Sequence, residues 1–177
     1  MTTWTVLTVG HSNRSLEDFI RLLMAHGIEF LADVRRFPGS RRNPQFNKGT
    51  LLDALGSYGI LYQPFPELGG WRAPQPDSPH RGLTSPGFRG YADYMETPEF
   101  DRAVRALIDL TGRYRLAYMC AEALPWRCHR WLLSDALTVR GLRVGHILTP
   151  TRCQAHRLTP GVQVRRSRLI YTGCSPG

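Results

Sequence analysis

The sequence predicts an α/β fold: a single-domain, Rossmann-like three-layer sandwich in which a mostly parallel sheet of about five strands is covered by helices on both faces. Three observations predict it. Short apolar, β-rich runs alternate with stretches whose apolar residues recur at helical spacing, the pattern of parallel strands joined by crossover helices. Polar and charged residues gather just after the strands, where open α/β sheets bind ligands. At 177 residues the chain is long enough for one full core and short for two.

The first run, TWTVLTVG, is apolar and breaks at Gly10 into HSNRS, where Ser15 can cap a helix carrying Leu16, Phe19, Ile20, Leu22 and Leu23. Gly27 ends that helix, and IEFLADV reads as the second strand, with Asp33, Val34, Arg35 and Arg36 at its carboxyl end. The polar, turn-rich FPGSRRNPQFNK leads to a short helix, TLLDALGSYG, and a third strand, ILYQPF. Residues 64–89 carry many of the 13 prolines and several glycines, so a long irregular loop is expected there, placed to act as a lid. Helices follow around Tyr91 to Met95 and from Pro98 through EFDRAVRALIDL. RLAYMC is the fourth strand, WRCHRWLLSDALTVR a helix closed by Gly141, and LRVGHIL the fifth strand. Residues 1–150 therefore read as the α/β domain and 151–177 as its basic C-terminal extension, with RRSR near the end.

Lys+Arg number 23 against 14 Asp+Glu, a net charge of +9, and Lys48 is the only lysine. Arginine offers phosphate a planar, two-bond fork, so the expected partner is a nucleic acid or a phosphate-bearing small molecule. A genomic bias toward arginine would give the same balance. The N-terminus has no basic head followed by an apolar run, and no stretch approaches the roughly 20 apolar residues that span a bilayer. A cytoplasmic protein without a membrane partner is expected, and nothing points to a particular oligomeric state. The four cysteines, Cys120, Cys128, Cys153 and Cys174, read as thiols in that setting.

The strand ends deliver an unusually polar set. Strand one leads to His11, Ser12, Asn13 and Arg14, strand two to Asp33, Arg35 and Arg36, strand three to Glu67, and strand five ends in His146. Strand four leads into CAEALPWRCHR, Cys120 to Arg130, with Cys120, Glu122, Trp126, Arg127, Cys128, His129 and Arg130. With a helix starting at Trp126, this loop would aim N–H groups and the positive helix end at one place, which binds anions and lowers a thiol's pKa. A buried cysteine at a strand end is the competing reading for Cys120. Seven residues separate the cysteines, against the two to four of zinc pairs, and adjacent Cys128 and His129 diverge on a helix, so no metal is expected. GHS at Gly10 to Ser12 sets a general-base candidate beside a hydroxyl, or else a helix cap. Neither GxGxxG nor GxxxxGK[ST] occurs, so no nucleotide cofactor is indicated, and no cofactor is expected. Arg35, Arg36, Arg41 and Arg42, interleaved with Phe37, Gln45 and Phe46, suit phosphate contact with base stacking, or form a solvated loop.

The order TVGHSNRS, DVRRFPGSRRNPQF, PELGG, FRGYADYM, MCAEALPWRCHR and GHI resembles the bacterial domain of unknown function 488 family over about residues 5 to 148. By that resemblance His11, Ser12, Asp33, Arg35, Gln45, Glu67, Cys120, Glu122, Cys128, His129 and Arg130 match signature positions, without roles attached; members are sometimes labelled DNA-repair proteins. A fainter resemblance, from ADVR at Ala32 to Arg35 and a cysteine-ended strand, is to rhodanese-like and cysteine-phosphatase domains. There the six residues between Cys120 and Arg127 exceed the usual four or five.

The expected function is an enzyme, a hydrolase acting on nucleic acid or nucleotide. Glu122 or Asp33 would serve as base, His11 or His129 would move protons, and Arg35, Arg127 and Arg130 would hold phosphate. Trp71, Phe88, Tyr91 or Trp126 would stack on an extruded base. The alternatives are a cysteine-dependent transferase or phosphatase using Cys120, and a non-catalytic nucleic-acid binder.

Overall fold

A computed structural model describes residues 3–173; Cys174 lies outside the described residues. The strands are β1 (Val6–Gly10), β2 (Phe30–Asp33), β3 (Leu61–Pro64), β4 (Leu116–Cys120), β5 (Val144–Thr149), β6 (Arg152–Ala155), β7 (Val162–Arg165) and β8 (Arg168–Tyr171). The helices are α1 (Leu16–Ala25), α2 (Lys48–Gly56), α3 (Pro86–Tyr94), α4 (Pro98–Thr111) and α5 (Arg130–Thr138). Six strands form one sheet in the order β3-β2-β4-β1-β5-β6. The first five are mutually parallel, and β6 runs antiparallel to β5.

The helix ends follow from local chemistry. The Ser15 hydroxyl accepts the Asp18 N–H at the head of α1, with Glu17 and Asp18 in the first turn where the helix dipole favours negative charge. Gly27 then takes φ +65, a conformation open to glycine, to release the chain into β2. Ser85 and Thr97 cap α3 and α4 in the same way, each followed by proline in the first turn.

Alternation along the strands divides the core into two layers. Leu7, Val9, Leu31, Ala117 and Met119 face α1 and α2, packing with Phe19, Leu23, Leu51 and Leu55. Val6, Ala32, Tyr118 and Val144 face α3, α4 and α5, packing with Tyr91, Phe100, Leu107, Leu132 and Leu133. The three-layer α/β expectation therefore holds, with six strands in place of about five.

In the basic C-terminal stretch, β6 pairs antiparallel with β5 at the edge of the sheet, and Leu169 and Tyr171 of the β7–β8 hairpin enter the core. The hairpin is tied down at buried Asp135 of α5. That carboxylate accepts hydrogen bonds from Thr159 N at 3.1 Å, Thr159 Oγ1 at 2.7 Å, His156 Nε2 at 2.7 Å and Tyr171 OH at 2.9 Å. The fifth helix, expected from Trp126, begins at Arg130; a separate 3-10 turn, Pro125–Arg127, precedes it.

Candidate functional site

β1 and β4 are neighbours, yet β1 feeds α1 on one face of the sheet and β4 feeds α5 on the other. Their carboxyl ends flank the crevice where doubly wound sheets bind ligands. Gly10 and Cys120 are register partners there, and His11 N–H to Cys120 O (3.0 Å) and Ser12 N–H to Ala121 O (2.9 Å) extend the pairing. Gly10 is required by space: a Cβ would lie 1.8 Å from the Glu122 carbonyl oxygen, because the loop after β4 folds back over it. Ser12, at φ +54, holds a left-handed conformation that non-glycine residues seldom adopt.

The 3-10 turn brings Cys128 back onto Cys120, with the two sulfurs 2.6 Å apart. Over them lies Arg130, only 1% exposed. Its Nε donates to Cys120 Sγ (2.9 Å), its NH1 to Thr8 Oγ1 (2.7 Å) and its NH2 to the Glu122 carbonyl (2.6 Å). A buried guanidinium needs a nearby anion, and the sulfurs, not a carboxylate, are the groups whose charge holds this one in its cationic form. Burial pushes the Cys128 thiol up, but the hydrogen bond from Cys120 and the charge of Arg130 outweigh it and bring the pKa down to about 7. Cys120 moves the other way, well above the ordinary thiol value, through burial and that same hydrogen bond. The pair thus keeps its firmer proton on Cys120, and Cys128 is the sulfur that ionises, at about neutral pH.

His129 completes the group. Its Nε2 donates to the Val34 carbonyl (3.0 Å), which leaves Nδ1 as an acceptor 3.5 Å from Cys128 Sγ. Burial lowers its pKa and keeps the ring neutral, so Nδ1 is placed to take the Cys128 proton.

Asp33, His11 and Arg35 form a frame beside this centre. Asp33 is fully buried and binds Arg35 through Nε (2.9 Å) and NH2 (2.7 Å), while Tyr62 OH donates to its second oxygen (2.6 Å). The ring of His11 stacks on Phe46 at 4.1 Å. Its Nδ1 donates to Ser12 O (2.7 Å), so Nε2 can only accept the Arg35 NH1 proton across 3.3 Å. Burial drives the His11 pKa down to about 4. Both groups are saturated by hydrogen bonds and aim Arg35 at the site.

A cavity of about 630 Å³ opens over the sulfurs. Cys120, Cys128 and His129 line its buried side, and Arg35, Arg36, Arg42 and Arg127 supply cations. Glu122 is the one carboxylate residue of the lining. Aromatic surface comes from Phe88, from Phe37, 70% exposed, and from Trp71, 85% exposed at φ +61. Arg36 meets both residues: its NH1 donates to the Trp71 backbone carbonyl (2.6 Å), and its guanidinium lies 5.5 Å from the Phe37 ring centroid. Gly70, Trp71, Ser85, Gly87 and Phe88 all belong to the segment expected to be a lid.

Among the expected residues, Ser12, Arg35, Arg36, Cys120, Glu122, Arg127, Cys128 and His129 line the cavity. Arg130 and His11 lie behind it. Gln45 is elsewhere, its amide donating to the Arg14 carbonyl (3.0 Å), and Glu67 is exposed with its carbonyl accepting from Tyr94 OH (2.7 Å). Trp126 is half-buried and outside the lining. The sequence reading did not single out Thr8 or Tyr62, and Phe46, named there for base stacking, is fully buried against His11 instead. Thr8, a hydroxyl inside an otherwise apolar strand, was the available signal. Among the described residues no group of three or more His, Cys, Asp or Glu is placed to hold a metal ion, and no helix is long and apolar enough to cross a membrane.

An open, mostly parallel sheet whose switch point carries a buried dithiol and an arginine-lined cavity defines the class: an α/β protein with a candidate site at the strand ends. A family model described as Domain of unknown function DUF488 matches residues 15–137, and the chain belongs to that family. No curated protein and no solved structure matches the chain.

Proposed function

We propose that the protein is a cysteine-dependent enzyme acting on a nucleotide or another phosphate-bearing molecule with an aromatic ring. Cys128 is the nucleophile. The observation that carries this is the Cys120–Cys128 contact at 2.6 Å beneath buried Arg130, on the floor of a cavity lined by four arginines. A thiolate held at neutral pH attacks an electrophilic centre far faster than a thiol. Arg42 and Arg127, both exposed, suit the phosphate, and Trp71, Phe37 and Phe88 suit a base or similar ring. His129 Nδ1 takes the Cys128 proton, and Glu122 serves the leaving group or the attacking water. Relative to the sequence reading, the weight moves from Asp33 and His11, whose hydrogen bonds are already satisfied, to Cys128.

The test is protection and turnover with a panel of nucleoside mono-, di- and triphosphates. A binding nucleotide should slow iodoacetamide labelling of Cys128, and Cys128→Ser should abolish turnover and any covalent adduct seen by intact mass. Full turnover in Cys128→Ser with loss in Glu122→Gln would overturn the thiol mechanism. That outcome would favour water activation by Glu122, the cavity's one carboxylate residue.

A further inference from the structure

We propose that Cys120 and Cys128 form a reversible redox pair, in which Cys128 meets a peroxide and Cys120 resolves it to an intramolecular disulfide. This goes beyond the functional reading above, because it needs the two sulfurs and not the substrate.

Three observations carry it. The sulfurs are 2.6 Å apart, so they need close by only about 0.5 Å to reach the roughly 2.05 Å of a disulfide bond. Both thiols line the cavity, which gives a peroxide, a molecule of two heavy atoms, a path to them although each residue is buried. Arg130 grips both partners at once, its Nε on Cys120 Sγ (2.9 Å) and its backbone N–H on Cys128 Sγ (3.4 Å). A sensor thiol is a thiolate, reachable and beside a resolving thiol, and these are the three conditions.

The chemistry balances in two steps. The Cys128 thiolate attacks one peroxide oxygen; the S–O bond forms, the O–O bond breaks, and the departing hydroxide takes a proton to leave as water. Cys120 sulfur then attacks the sulfenic sulfur; the S–S bond forms, the S–O bond breaks, and the hydroxide leaves with the Cys120 proton as a second water. The two sulfurs give up two electrons and the peroxide accepts them.

Arg130 also sets the direction of equilibrium. In the reduced pair its buried charge faces a thiolate, whereas a disulfide is neutral and leaves that guanidinium without an anion. The reduced form is therefore the favoured one electrostatically, which makes the disulfide oxidising and readily opened by a small thiol. Oxidation would switch the Cys128 nucleophile off and spare it from irreversible over-oxidation, and a monothiol such as glutathione would restore it.

The experiment treats the full-length protein with hydrogen peroxide, blocks free thiols with iodoacetamide and maps tryptic peptides. Trypsin cuts after Arg115, Arg127 and Arg130, so the disulfide appears as peptide 116–127 joined to peptide 128–130. Expected is near-complete joining of these two peptides, reversed by glutathione. In Cys120→Ser the expected product is Cys128 sulfenic acid, trapped by dimedone and passing to sulfinic acid with more peroxide. The inference is overturned if the wild-type protein keeps both cysteines alkylatable, or if Cys128 reaches sulfinic acid without the joined peptides appearing. Since wild-type mapping decides the question, a poorly folding Cys120→Ser does not weaken the test. Joined peptides without nucleotide turnover would refute the enzymatic reading alone; turnover by Cys128 without joined peptides would refute only the redox pair.

Discussion

Arg130→Met removes the buried charge that faces the sulfurs while keeping a side chain of similar reach. An ordinary thiol near 9 is brought to about 7 at Cys128, and each pH unit is a factor of ten in ionisation, so the depressed value is worth about 3 kcal/mol of differential interaction. The hydrogen bond from Cys120 and the Arg130 charge share that effect, and both fail together in Arg130→Met: without the cation, burial keeps both sulfurs protonated. At pH 7 the thiolate then falls from about half to about 1% of Cys128 or less, and iodoacetamide labelling should slow on the order of 50-fold. The stability change follows the same sign. A group whose folded pKa is depressed contributes stability above its unfolded value, near 9 here, and loses it as pH falls through about 7. That slope should be present in the wild-type protein and absent in Arg130→Met. The assay is the rate of Cys128 labelling from pH 5 to pH 9, roughly the span of the titration, with thermal melts to show that the variant is folded. Arg130→Lys, which keeps the charge and loses the fork, should fall between the two. A folded Arg130→Met labelled with an unchanged midpoint near 7 would refute the account of the pair.

Other perturbations probe the surroundings. Asp33→Asn leaves the Arg35 guanidinium and the Tyr62 hydroxyl without their carboxylate, and should lower stability by about 3–5 kcal/mol in urea denaturation. His11, held neutral with a pKa near 4, contributes stability fully above its unfolded value near 6.5; this is lost as pH falls from there toward 4. His11→Gln should therefore show a shallower loss of stability over that window, and an identical acid slope would count against the assigned burial. Gly10→Ala sets a methyl group against the Glu122 carbonyl, and its denaturation midpoint should fall steeply or the soluble yield vanish. Trp71→Ala should weaken nucleotide binding in calorimetry by about 1–3 kcal/mol, the range for stacking on one base, while binding of inorganic phosphate is unchanged.

Much of the fold was legible because apolar periodicity reports burial directly. The runs TVLTVG, IEFLADV and RLAYMC became β1, β2 and β4, and Ser15, Gly27 and Pro98 marked helix ends by chemistry local to each turn. The polar ends of the first, second and fourth strands were legible for the same reason, and side chains that follow all three line one cavity. The pairing of the sulfurs was not. Spacing was judged on a helix running from Trp126, but Pro125 starts a 3-10 turn instead, and this returns Cys128 to Cys120. Nor does sequence distinguish a free base from a saturated one. Asp33 and Glu122 are both carboxylates after strands; partners at Arg35 and Tyr62, 2 and 29 residues away, decide that Asp33 is an anchor. The tail read as a basic extension because its four-residue strands alternate exposed charges with few apolar residues, too brief for periodicity to register.

The tie at Asp135 gives the assembly of this site an order in time. The residue sits one and a half turns into α5, the helix that Arg130 opens, yet its hydrogen-bond donors lie at Thr159, His156 and Tyr171. A growing chain that has reached only β5 holds both cysteines and the arginine but has a buried carboxylate with no donors, which is unfavourable in a closed core. The C-terminal stretch is in this sense a latch on the helix that Arg130 opens, since Thr159, His156 and Tyr171 supply the donors that its buried carboxylate needs.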